Sequence, residues 1–172
     1  SRPYSSMTEP DVLVADFELE PVQGDLVPSS ESLLHVAVYR ARPDVGAVVH
    51  THSTFASVAA VAGLEIPPLI DEMVVTVGGP VKVSRYAFPA TQELADAVCE
   101  ALDGRNAALI RNHGLVGVGP DLRTATDVCL LVERVAQVFV YTSLLGRVNE
   151  LPADVVQAER EIFRMRQAGH GD

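Results

Sequence analysis

Basic residues are scarce in this chain: 13 Lys and Arg stand against 23 Asp and Glu, a formal charge of −10 over 172 residues. A surface of that sign repels nucleic-acid phosphates and anionic membranes, so neither is expected as a partner. A phosphorylated ligand then needs a local pocket of backbone amides and hydroxyls. Cysteine is nearly absent. Cys99 and Cys129 fall in apolar helical patterns, Ala97-Val98-Cys99 and Val128-Cys129-Leu130, which reads as two buried thiols and leaves no disulfide framework. No uncharged apolar run is long enough to span a bilayer and no signal-peptide pattern opens the chain, so the expectation is a soluble cytoplasmic protein. Missing too are a glycine-rich dinucleotide loop, a Walker sequence and internal repeats. Nucleotide-binding folds are left without support.

What the chain does have is apolar residues, 48% of the total, enough for one domain with a substantial core. Residues 1–8 read as loop without an initiator Met, which points to further chain before Ser1. A strand is expected over 11–16. Ser29 and Ser30 are good helix caps, and Leu33, Leu34, Ala37 and Val38 carry helical spacing through 31–42. Pro43-Asp44-Val45-Gly46 then turns the chain into a strand. A helix over 54–61 ends at Gly63, and Ile66-Pro67-Pro68 forces an extended crossing. Short strands are expected over 73–77 and 81–84. Thr91 caps a helix through Leu102, a buried strand follows over 107–110, and another segment runs over 115–119. The longest helical pattern, 121–145, is apolar almost all round with Glu133 and Arg134 its main charges, so it must pack on two sides. A last amphipathic helix covers 154–167, ahead of a frayed tail with His170.

The chemistry concentrates in Gly46-Ala47-Val48-Val49-His50-Thr51-His52-Ser53. A strand places alternate side chains on one face, so His50 and His52 project together as the start of a metal site. Two neutral imidazoles leave a divalent ion short of ligands. His113, in Asn112-His113-Gly114 after the apolar strand, is the third candidate, and Gly114 permits close backbone approach. Glu31 is either a fourth donor or a first-turn carboxylate that suits the helix dipole. His35, four residues on and on the same helix face, is the weaker candidate because its neighbours predict a core position. Three imidazoles with at most one carboxylate suit zinc or another divalent transition metal better than calcium or magnesium.

Four motifs in order, Pro28-Ser29-Ser30-Glu31, Arg42-Pro43-Asp44, Val48-Val49-His50-Thr51-His52-Ser53 and Asn112-His113-Gly114-Leu115, with Tyr86-Ala87, Thr91 and Glu93-Leu94 between the last two, give the chain its family likeness. It resembles the class II aldolase and adducin family over nearly everything from 3 to about 146. The resemblance implies an α/β fold, three-layer α/β/α around a largely antiparallel central sheet, forming one domain over 1–172 that lacks the family's N-terminal phosphate-loop segment. It also implies a homotetramer with active sites at subunit interfaces.

Carried onto this sequence, the family pattern makes His50, His52 and His113 zinc ligands, with Glu31 both ligand and proton carrier. Ser29 and Ser30 match positions that bind the substrate phosphate. Glu72 stands where fuculose-type members use a tyrosine from a neighbouring subunit; it is either the acid that protonates the leaving alkoxide or a solvated surface carboxylate. The implied activity is zinc-dependent cleavage of a ketose 1-phosphate, of the fuculose or deoxyribulose type, to dihydroxyacetone phosphate and an aldehyde. Sugar-phosphate 4-epimerisation and methylthioribulose-phosphate dehydration are alternatives on the same metal. A non-catalytic, adducin-like assembly module is the alternative of another class, and that branch lacks the histidines.

Overall fold

In the computed structural model, which describes residues 6–23 and 26–169, strands β5 (Ala107–Ile110) and β6 (Gly114–Gly119) are buried along their whole length. Their alternate side chains enter two separate cores. Ala107, Leu109 and Leu115 join Ala56, Val128 and Val132 on one face; Ala108, Ile110, Val116 and Val118 join Leu34, Val38, Leu94 and Val98 on the other. A sheet apolar on both faces needs helices on both, which makes the three layers α/β/α.

The sheet runs β3 (Ala47–Thr51), β6, β5, β4 (Lys82–Val83). The β3–β6 and β6–β5 pairings are antiparallel and β5–β4 is parallel, so the sheet is largely antiparallel, as expected. Helices α1 (Ser32–Ala41) and α4 (Gln92–Leu102) cover one face, and α2 (Thr54–Ala62) and α5 (Leu122–Leu144) the other. A ribbon of β1 (Val14–Ala15) and β2 (Pro21–Gln23) pairs separately. Helix α5 lies close on the sheet because β6 is glycine-rich there: a Cβ on Gly117 would come within 2.6 Å of Cys129 Sγ.

Most expected elements form within a residue or two of their predicted ends, and Thr91 caps α4 by accepting from the Leu94 N–H at 3.2 Å. Two do not. Residues 73–77, expected as a strand, belong to helix α3 (Asp71–Val77), which ends at Gly78 in the left-handed region with φ 94°. Met73, Val74 and Val77 are all fully buried. The buried positions 73, 74 and 77 follow the spacing of a helix face, with Met73 and Val77 one turn apart in the core beneath α2 and α5, and burial of about 1.5–3 kcal/mol per side chain outweighs a strand propensity spanning about 1 kcal/mol. The strand expected over 11–16 is a 3-10 turn over Glu9–Asp11 followed by the two residues of β1.

Helix α3 packs on α6 (Ala153–Ala168), with Phe163 of α6 buried. Of the two sides predicted for α5, one is core, with Val128, Val132, Val135 and Ala136 fully buried, and the other leaves Leu122, Leu130, Tyr141 and Leu144 exposed in the single chain. Of the turn that Val22-Gln23-Gly24-Asp25 predicts, Val22 and Gln23 belong to β2, and Gly24 and Asp25, like His170, lie outside the described residues.

Candidate metal centre

The site grows from the end of the β3–β6 pairing, where His50 stands opposite Val116 and Thr51 opposite Leu115. Val48 points into the α1/α4 core and Val49 packs toward the α2/α5 core. His50, two residues beyond Val48, therefore faces the α1 layer. His113 arrives from the turn between β5 and β6, which closes through the His113 N–H to Ile110 O at 3.0 Å with Asn112 in the left-handed region at φ 57°. Asparagine tolerates that conformation better than most residues. Gly114 then passes so close to β3 that a Cβ there would collide with Thr51 O and sit 3.1 Å from His52 Cδ2 and 3.3 Å from His50 Cε1.

The three imidazoles converge. Their ring centroids lie 4.8–4.9 Å apart, and one nitrogen from each falls within 4.8 Å of the others. His50 Nδ1 is 2.9 Å from Leu115 O. A carbonyl only accepts, so Nδ1 carries the proton and the Nε2 lone pair is turned toward His52, whose Nε2 is 3.1 Å away. Burial, chiefly, lowers the His50 pKa to about 4, with smaller contributions from His113 and His52, against the raising effects of the Leu115 carbonyl and Glu31. The ring is neutral at physiological pH, the form in which an imidazole binds a metal.

The residues fit a divalent transition ion. Two imidazole nitrogens on a tetrahedral zinc, each about 2.0–2.1 Å from it, stand about 3.3 Å apart, close to the separation seen here. Glu31 Oε2 and His113 Nδ1 are buried without a hydrogen-bond partner. Leaving such groups unsatisfied costs about 1–3 kcal/mol each, and a bound cation would remove the anomaly at the carboxylate.

Glu31, expected as the first helical residue, is instead the N-cap of α1, which starts one residue later at Ser32; neither Ser29 nor Ser30 takes the cap position. The N–H of Glu31 is bonded to Ser29 Oγ at 3.3 Å, and its charge acts on both His50 and His35. Ser29 and Ser30 are exposed beside it. Glu31 also lines a cavity of about 380 Å³ behind α1 with Ser29, His35 and Tyr39, and the three clustered imidazoles are not part of that wall. Neither His35 nor Glu31 is part of the three-imidazole cluster; for His35 its apolar neighbours predict this, and burial lowers its pKa. Glu72, in the first turn of α3, is exposed and pairs with Arg134 of α5. The charge next to Arg134 proves more consequential than its position suggests. Glu133 accepts hydrogen bonds from the Phe55 and Ala56 N–H groups, 2.9 Å each. Its charge in an apolar helical pattern was the sequence signal, without the partner.

The family model of the class II aldolase and adducin N-terminal domain matches residues 1–140. A 5-deoxy-D-ribulose 1-phosphate aldolase of Bacillus thuringiensis is 34% identical over 168 residues, 98% of this chain and 76% of that protein. The L-fuculose phosphate aldolase of Escherichia coli is 33% identical over 140 residues, 81% of this chain and 65% of that protein. A solved L-fuculose 1-phosphate aldolase superposes with a TM-score of 0.87 at 31% identity, covering 93% of this chain and 75% of that one. With the fold, the imidazole cluster and these relatives in agreement, the chain belongs to the class II aldolase and adducin family and is a lyase of its aldolase branch.

Proposed function

We propose that this chain cleaves a ketose 1-phosphate, of the deoxyribulose or fuculose type, to dihydroxyacetone phosphate and an aldehyde, using zinc or another divalent transition metal. The observation that carries the reading is the convergence of His50, His52 and His113, with the unpartnered Glu31 carboxylate near enough for its charge to act on His50, in a chain about one third identical to aldolases acting on such sugars. His50, His52 and His113 would hold the ion, with Glu31 as a displaceable fourth ligand. The bound metal supplies Lewis-acid polarisation of the substrate carbonyl.

The chain's own groups do the rest. Ser29 and Ser30 offer hydroxyls to the phosphate, in an acidic protein that has little other means of attracting one. Glu31 exchanges the proton on the carbon next to the carbonyl. In cleavage, that carbon receives a proton from Glu31 after the carbon–carbon bond breaks, while the hydroxyl on the departing half gives one up as it becomes the aldehyde. Glu72 is assigned that second proton, taking it from the hydroxyl in cleavage and returning it to the alkoxide when the carbon–carbon bond forms in the reverse direction, in the site of a neighbouring subunit of a homotetramer. The exposed leucines of α5 support such assembly. Among the described residues no helix is long and apolar enough to cross a membrane, which agrees with a cytoplasmic setting.

The test is elemental analysis of the purified protein joined to a dihydroxyacetone-phosphate release assay on a panel of ketose 1-phosphates. About one transition ion per chain with release of a free aldehyde is expected from the three-imidazole site. Metal without aldehyde release would replace cleavage by epimerisation or dehydration. Absence of metal would remove the catalytic reading.

A further inference from the structure

Helices α4 and α5 are capped by their own first residues, Thr91 accepting from Leu94 N–H and Asp121 from Thr124 N–H at 2.7 Å. Helix α2 is not. Ser53, a suitable N-cap type, gives no cap hydrogen bond; its hydroxyl is 2.8 Å from Thr51 Oγ1 instead. The amides of the second and third helical residues, Phe55 and Ala56, go to the half-buried Glu133 carboxylate, 78 and 77 residues along the chain.

This remote cap sits where the sheet stops controlling the site. The β3–β6 ladder ends at Thr51 opposite Leu115, so His50 is held within it and His113 by its tight turn. His52 lies just beyond, with Ser53 alone between it and α2. Where that imidazole stands therefore depends on where α2 begins. The face of α5 that carries Glu133 holds both ends of the segment: one turn earlier, the Cys129 thiol donates to Val49 O at 3.6 Å, and two turns later Tyr141 packs edge-on against Phe55 with centroids 5.5 Å apart.

We propose that Glu133 is a positioning residue for the metal site: by binding both leading amides of α2 it fixes the start of that helix against α5 and so sets the place of His52 among the imidazoles. Glu133 touches neither substrate nor metal in this arrangement. It acts on His52 through the backbone of residues 53–56. The inference rests on the metal-centre reading.

The test is Co²⁺ titration of the metal-free full-length chain, following the visible d–d bands, for the wild type, Glu133→Gln and Thr91→Val. The Thr91 variant removes a helix cap away from the site and so measures what lost stability alone does. Outer-shell partners typically control metal affinity by about 10–100-fold. Glu133→Gln is accordingly expected to weaken Co²⁺ binding by about tenfold or more and to change the band intensities, while Thr91→Val lowers the melting temperature and leaves both unchanged. Should the Gln variant fail to fold, Glu133→Asp, which keeps the charge one methylene short, is read in the same way. An unaltered affinity and spectrum in a folded Glu133 variant would overturn the proposal and leave a helix cap only. A wild type that bound no Co²⁺ would instead overturn the metal-centre reading beneath it.

Discussion

The edge of the sheet at His50 and the surface between α3 and α5 both carry residues assigned to catalysis, and they are built in opposite ways. At the sheet edge, a strand ladder places His50 and a tight turn His113, His52 follows just past the ladder, and a glycine that admits no side chain lies against both His50 and His52. Between α3 and α5, Glu72 and Arg134 meet as two exposed side chains, each more than half accessible. Rigid backbone positions the first set, so its geometry survives in a single chain. The second is fixed only by an ion pair that water competes for, worth about 0–1 kcal/mol at such exposure. A role for Glu72 therefore needs the packing of a neighbouring subunit, whereas the imidazole cluster needs none.

The comparison can be broken most sharply at His52. His52→Ala should remove metal binding and turnover, a loss beyond the about 100-fold upper range for outer-shell partners. The circular dichroism spectrum should stay close to the wild type, because the ring is exposed and outside the ladder. A variant that kept stoichiometric metal and full activity would show that the cluster is not the site.

Gly114→Ala tests the backbone rather than a ligand. Forcing a methyl against Thr51 O should cost about 1–3 kcal/mol of stability, as overpacking does elsewhere, and should weaken Co²⁺ binding because both His50 and His52 lie against that atom. Thermal melts and metal titration read the two effects separately. A melt unchanged from the wild type would refute the tight fit.

Acid gives a graded version of the same test. Burial holds His50 near pKa 4 and lowers His35 also, against an ordinary value of 6.5. Below about pH 6.5 the unfolded chain takes up these protons while the folded chain resists, so the metal-free protein keeps this stability above pH 6.5 and loses it progressively down to about pH 4. Melting temperatures across that window should fall, and His35→Gln should flatten part of the slope. The smallest effect is expected on the other side of the comparison. Glu72→Gln should alter the single chain's stability by no more than about 1 kcal/mol, yet slow carbon–carbon cleavage more than proton exchange at the neighbouring carbon. Equal loss of both rates would count against its assigned role.

What the sequence discloses follows the same division. His50 and His52 are legible because alternation along a strand is a local rule, and Gly114 because close approach has a residue type of its own. Helix α4 announces itself through its cap and periodicity, and α5 through its long apolar pattern. Met73 to Val77 misleads because a short run rich in valine satisfies strand propensity, and only the tertiary burial of 73, 74 and 77 together decides for a helix. Glu133 stands out as a charge in an apolar pattern, but its partners lie 77 and 78 residues away on another helix. Tertiary contacts of that span leave no local trace.

The β3–β6 pairing also fixes an order of events. His50 takes its proton arrangement from Leu115, 65 residues later, and His113 belongs to the turn that begins β6. A chain emerging during synthesis presents His50 and His52 long before either partner exists, and pairings so distant in sequence form slowly. The half-finished chain offers two loosely held imidazoles, the finished sheet three oriented ones. Cargo that requires all three is taken up after the sheet closes, so loading reports completed folding, and the nascent chain gains little help from the ion.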